Sequence, residues 1–278
     1  YLAKLIVSPV AKNMINTFFF NMNAIKSGQS RPKDVPRYKP QKVGVLGAGM
    51  MGAGIAYSQA SRGIATVLKD VSLDKAEHGK AYSTKLTQPR VDKGRMGPHD
   101  QQALLARITP TDKAADLQGC DLIIEAVFEQ RDLKAKVTLE AETMLTPGGF
   151  FASNTSTLPI TGLAAASARP AKFIGIHFFS PVDKMKLVEI IRGKETDDET
   201  VARAFDYVQA LGKLDRGGLR FRRGRPEEGE GLLDRLDDRG LGRDGQHGAA
   251  LAGQDHVDVH ARLLPQPSQR RSATTKVA

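Results

Sequence analysis

Apolar residues Leu2, Leu5, Ile6, Val10, Met14, Ile15 and Phe18 recur at helical spacing, interrupted at Pro9. The spacing predicts two amphipathic helical pieces whose apolar stripes need a partner surface, because so short a segment does not fold alone. Over residues 27–40 the pattern gives way to Ser, Gly, Lys and Arg, with Pro32, Pro36 and Pro40 spaced to favour extended backbone. This reads as a linker.

From Lys42 the pattern alternates: an apolar strand at 43–46, a glycine turn, a helix through Ala60, and a second strand at 65–68. A polar helix is predicted over 74–93, with further strands at 122–127, 150–152, 173–176 and 187–191. Strands alternating with helices over short connections predict an α/β fold in which helices cover both faces of a doubly wound parallel sheet.

After Lys213 the chain changes character. From Leu214 to Ala278 there is one Lys (Lys276) against 11 Arg, with 10 Gly, no Ile and no Met. Runs such as residues 220–225 and 235–243 keep neither helical nor strand periodicity. The expected organisation is a helical segment with a Pro-rich linker (1–40), an α/β domain (41–213), and an irregular, disordered Arg/Gly-rich tail (214–278). The change in usage is that expected of a GC-rich gene read out of frame.

Composition narrows the class of protein. At 278 residues and 40% hydrophobic content, the chain can bury a sizeable core. The net charge of +10 is spread thinly, without an aromatic-interleaved basic stripe, so it fits an anionic small molecule and not a nucleic acid. Cys120 is the only cysteine, which leaves no intrachain disulfide or cysteine-based zinc site; it reads as a small buried hydrophobe in a reducing compartment. His256 and His260, spaced as ligands on one helical face beside Asp255 and Asp258, read as coincidence, so no metal is expected. The densest apolar stretch, 2–25, is broken by Lys4, Lys12, Asn13 and Asn16 and is not a membrane span. The chain opens on Tyr1 without a leader, as a fragment of something longer would.

Gly47-Ala48-Gly49-Met50-Met51-Gly52 gains its meaning from a strand before it and a helix after it. Gly47 permits the tight turn, Gly49 lets backbone N–H groups approach a pyrophosphate, and Gly52 lets helix and strand pack closely. Asp70, at the end of the second strand and 18 residues after Gly52, is placed to accept the adenosine ribose hydroxyls and repel a 2′-phosphate. NAD is therefore expected over NADP in a Rossmann-like fold. Lys69, beside it on the strand, is expected to point away.

Two further segments carry the chemistry: Ser153-Asn154-Thr155-Ser156-Thr157 after one strand, and His177-Phe178-Phe179-Ser180-Pro181 at the next, leading to residues 185–191. Loops at the carboxyl ends of parallel strands face the ligand crevice, so Ser156 and His177 should converge there. Glu189, an acid within an apolar strand, needs a partner, and an imidazole is the obvious one.

Together these segments resemble the 3-hydroxyacyl-CoA dehydrogenase family. Residues 42–213 are most similar to the dehydrogenase part of the bacterial multifunctional fatty-acid oxidation α-subunit, with 1–40 resembling the join to a preceding hydratase domain. The resemblance implies NAD-dependent oxidation of (S)-3-hydroxyacyl-CoA to 3-ketoacyl-CoA in β-oxidation, in the bacterial cytoplasm, with acyl-CoA as substrate and a thiolase subunit as partner. It also implies that His177 is the general base, Glu189 its supporting carboxylate and Ser156 a hydrogen-bond donor to the substrate oxygen. Glu129 and Lys134 match positions near the nicotinamide ribose. The family commonly has Asn where Ser180 stands. After Gly212-Lys213 its next strand, a turn, an active-site Asn and a helical domain are not recognisable. The alternative is a truncated remnant that binds NAD without turnover; a sugar-acid dehydrogenase would share the glycine turn but leave the other segments unexplained.

Overall fold

The computed structural model describes residues 2–215; the tail predictions, including His256 and His260, lie outside the described residues except at Leu214 and Asp215. The chain begins with α1 (Leu2–Ile6), α2 (Pro9–Ile15), a π-helical turn (Asn16–Asn21) and α3 (Met22–Lys26). Pro9 opens α2 where its missing N–H costs nothing, and the Ser8 hydroxyl accepts from the Ala11 N–H at 3.2 Å. Leu2, Leu5, Ile6, Val10, Met14 and Ile15 all stay exposed, as expected of a stripe whose partner surface is not supplied by the segment itself.

A βαβ framework follows: β1 (Lys42–Leu46), α4 (Met50–Ala60), β2 (Ala65–Lys69), α5 (Leu73–Asp92), α6 (Pro98–Ala106) and β3 (Ile108–Thr111). The second half holds β4 (Cys120–Glu125), α7 (Arg131–Glu142), β5 (Leu145–Ser153), α8 (Ile160–Ala164), β6 (Phe173–Phe178), β7 (Leu187–Arg192), α9 (Asp198–Ala210) and β8 (Leu214–Asp215). Among the described residues the sheet has order β3-β2-β1-β4-β5-β6-β7-β8. The order reverses between β1 and β4, which opens a crevice at the strands' carboxyl ends.

Strand alternation sorts the core into two layers. Leu122 and Ile124 join Val43, Val45, Ile55 and Phe205 on one face, while Ile123 joins Leu46, Phe151 and Phe173 on the other. Each such fully buried side chain contributes about 1.5–3 kcal/mol of hydrophobic stabilisation. Cys120 lies in the second layer as the small hydrophobe expected.

Three expectations change. The sheet is not wholly parallel, because β7 runs antiparallel to β6 through the connection 179–186. A strand continues beyond Lys213, where none was recognised: β8 pairs in parallel with β7, Leu187 opposite Leu214. The Pro-rich linker is also anchored to α9. Arg31 Nε and Nη2 each donate to an Asp206 oxygen at 2.8 Å, and the Tyr38 N–H donates to the same carboxylate at 2.9 Å. Burial opposes the charge on Asp206, yet Arg31, the Tyr38 amide and Arg37 hold its pKa below the ordinary carboxylate range. Three prolines among short polar and basic residues gave no sign that one arginine would bury.

Candidate active site

The glycine turn is set by backbone crowding. Gly47 has φ +89°, and a Cβ there would lie 2.8 Å from the Ala126 carbonyl oxygen. A Cβ on Gly52 would sit 1.7 Å from the Gly47 oxygen. One built on Gly49, by contrast, meets nothing within 4 Å. Gly49 is the N-cap of α4 and supplies no side-chain cap, so the helix amides open onto unfilled space.

That space is a cleft of about 720 Å³ lined by residues of the turn, the end of β2, the Ala126–Phe128 segment and α7. Asp70 lies in it, accepting from the Ala48 N–H at 2.6 Å and the Val71 N–H at 2.7 Å. Both carboxylate oxygens are thereby fixed at the cleft wall. Lys69 points away from Asp70, to the α7 face on which Val67 also lies, and from there it lines the same cleft and forms an ion pair with Glu140 at 3.3 Å. An open helix N-terminus, an approach free of Cβ and a carboxylate fixed at the cleft wall fit the pyrophosphate and adenosine of NAD.

The catalytic candidates sit apart from this cleft, further along the carboxyl edge. His177 pairs directly opposite Glu189 in the β6–β7 ladder, and its Nδ1 lies 3.1 Å from Glu189 Oε2. The antiparallel turn of β7 creates this pair: side chains directly across such a ladder share a face at close range. The Phe179 ring packs 4.7 Å from the imidazole, leaving the His177 side chain 17% exposed. Asn154 Oδ1 accepts from the Phe178 N–H at 2.8 Å, which ties the Ser156 loop to the strand carrying His177. Ser156 itself is exposed beside this join.

Glu129 and Lys134 are drawn into a network beneath that loop. Glu129 Oε1 accepts from the Thr155 hydroxyl, from the Ser156 N–H at 3.1 Å and from the Thr157 N–H at 3.0 Å. Lys134 Nζ lies 2.9 Å from both Glu125 oxygens and 3.2 Å from Glu129 Oε2, with its side chain only 2% exposed. Burial alone would raise the Glu129 pKa; the bonds from Thr155, Thr157 and Lys134 outweigh it and hold the group at about 2. Burial pushes Glu125 up despite Lys134 and the Ser153 hydroxyl. In this geometry Lys134 is enclosed by carboxylates, and Glu129 spends one oxygen on the loop backbone.

Sequence reasoning missed Glu125, Asn154 and Lys213. Glu125 carried the signal used for Glu189, an acid ending an apolar strand. Asn154 lay within a quoted segment without a role. Lys213 Nζ donates to the Val182 and Met185 carbonyls, which secures the connection from His177 to β7. No local pattern announces such a contact. Among the described residues no cluster of His, Cys, Asp or Glu could hold a metal, and no helix is long and apolar enough to cross a membrane.

A glycine turn at the crevice of a doubly wound sheet, with a histidine–carboxylate pair along the same edge, defines a Rossmann-type dinucleotide-binding domain equipped for proton transfer. Residues 42–215 match the family described as 3-hydroxyacyl-CoA dehydrogenase, NAD binding domain, and the chain belongs to that family. It is 37% identical over 212 residues to a fatty acid oxidation complex subunit alpha from Psychrobacter arcticus, covering 76% of this chain and 29% of the relative. The chain therefore spans about 29% of that relative's length. The (S)-3-hydroxybutyryl-CoA dehydrogenase PaaH1 from Ralstonia eutropha superposes with a TM-score of 0.61 at 38% identity, covering 64% of this chain and 62% of that one. FadB2 from M. tuberculosis does so with 0.61 at 34% identity, covering 64% and 63%.

Proposed function

We propose that the protein oxidises (S)-3-hydroxyacyl-CoA to 3-ketoacyl-CoA with NAD, as a step of fatty-acid β-oxidation in the bacterial cytoplasm. The observation that carries this reading is the contact of 3.1 Å between His177 Nδ1 and Glu189 Oε2. With Nδ1 held against a carboxylate, the neutral imidazole keeps its proton there and leaves Nε2 as the lone pair. Nε2 takes the proton of the 3-hydroxyl, and Glu189 stabilises the imidazolium that results. Ser156 donates to the substrate oxygen from the loop that Asn154 ties to β6. NAD supplies the acceptor for the hydride leaving C3. Asp70 would accept from its adenosine ribose, Gly49 would admit its pyrophosphate at the turn that Gly47 and Gly52 make possible, and Glu129, paired with Lys134, would hold the loop next to its nicotinamide ribose.

In this reading 1–40 joins a preceding hydratase domain to the dehydrogenase domain of 41–213, and 214–278 stands where a helical domain closes the cleft in the family. A thiolase subunit is the corresponding partner; the P. arcticus relative is named as a complex subunit. Reduction of acetoacetyl-CoA by NADH, followed as loss of absorbance, tests the activity. Saturable NADH binding without turnover would replace this reading with that of a cofactor-binding remnant. Absence of both would overturn it.

A further inference from the structure

Asp70 explains why a 2′-phosphate is unwelcome, but the same cleft also holds basic side chains that would attract one. Among the described residues these are Lys69, Lys75 and His78. Lys75 and His78 are exposed, so water and salt screen them. Lys69 differs: its side chain is 15% exposed, so its charge acts through a medium of lower dielectric. It is the cation best able to strengthen phosphate binding, and it is adjacent in sequence to the ribose acceptor. Its partner is Glu140 of α7, 3.3 Å away and also in the cleft wall.

We propose that Glu140 is a second cofactor-specificity residue, which acts by holding Lys69 in an ion pair and so denies the 2′-phosphate of NADP its best-placed cation. The inference rests on the NAD reading of the cleft and deepens it. Two carboxylates then divide the task. Asp70 repels the phosphate directly while offering acceptors to the ribose hydroxyls. Glu140 neutralises the neighbouring cation, and its own charge adds to the repulsion. Lys69 is a flexible ammonium on a four-carbon stem, so once released it can turn toward an anion without movement of β2.

The test is a set of binding titrations with NADH and NADPH, following nicotinamide fluorescence at fixed ionic strength. It compares the wild type, E140Q, K69M and E140Q/K69M, with the same changes repeated on D70A so that NADPH binding is measurable. We expect E140Q to tighten NADPH about fivefold and to change NADH by less than about twofold, the range of one partly exposed ion pair. In the K69M background the gain from E140Q should vanish, which separates release of Lys69 from simple loss of a negative charge. The proposal is overturned by unchanged NADPH affinity in E140Q, or by an equal gain with and without Lys69. Failure of wild-type NADH titration to saturate would instead overturn the cofactor reading beneath it.

Discussion

The cleft at the ends of β1 and β2 and the ledge at the ends of β5–β7 are built from opposite materials. In the cleft, backbone geometry does most of the work: a positive φ at Gly47, a close approach at Gly52 and open space at Gly49, with Asp70 fixed by two main-chain amides. On the ledge, side-chain charges dominate, with Glu125, Lys134 and Glu129 beneath the Ser156 loop and His177 against Glu189. A site of the first kind is broken by an added carbon where the backbone crowds, at Gly47 and Gly52. The second kind tolerates small changes of volume but not the loss of a partner.

The contrast breaks most visibly at His177. His177→Gln should lower turnover by about two to four orders of magnitude while NADH affinity holds, because a positioned general base contributes that much to rate and the cofactor cleft lies elsewhere. Glu189→Gln should act through the same imidazole, so the double variant should lose much less than the product of the single losses. Multiplicative losses in steady-state kinetics would mean that the two residues work independently.

Next in size is Lys134→Met, which leaves Glu125 buried with its main countercharge gone. Removing one partner of a buried pair costs about 3–5 kcal/mol, read as a fall in Tm or in the urea midpoint. Adding Glu125→Gln should recover part of that loss, since the uncompensated charge disappears with it. No recovery would show that Lys134 acts by packing alone.

The glycines sharpen the other side of the comparison. Gly52→Ala places a carbon 1.7 Å from the Gly47 oxygen and should cost at least about 1–3 kcal/mol of stability. Gly49→Ala, whose new carbon enters open space, should leave stability within about 0.5 kcal/mol and weaken NADH binding instead. Equal effects of the two changes on Tm would contradict a turn set by local crowding.

The smallest effect is one of pH. Glu129 is held at about 2 in the folded chain against an ordinary value of 4.5. A carboxyl depressed on folding adds stability above its unfolded pKa, and that stability is lost as pH falls toward the folded value. The difference in unfolding free energy between wild type and Glu129→Gln should therefore shrink between pH 4.5 and about 2. A difference that stays constant across this window would mean that Glu129 is not held as the hydrogen bonds from Thr155 and Thr157 require.

Much of this was legible in the residues themselves. The alternation from Lys42 announced a doubly wound sheet, and the glycine spacing between a strand and a helix announced a tight turn between them, because such patterns are local and each residue's conformational limits travel with it. An acid inside an apolar strand, Glu189, was enough to predict a partner. Only the tertiary structure decided that β7 turns antiparallel and brings Glu189 opposite His177, and that Lys134 disappears between two carboxylates. It also decided that Lys69 shares a cleft wall with Asp70, and that Arg31 buries against Asp206 from 175 residues away in sequence. Local pattern fixes which face a residue prefers. Which groups finally meet depends on strand direction and on how helices approach over long loops, where desolvated charges must find partners that sequence separation hides.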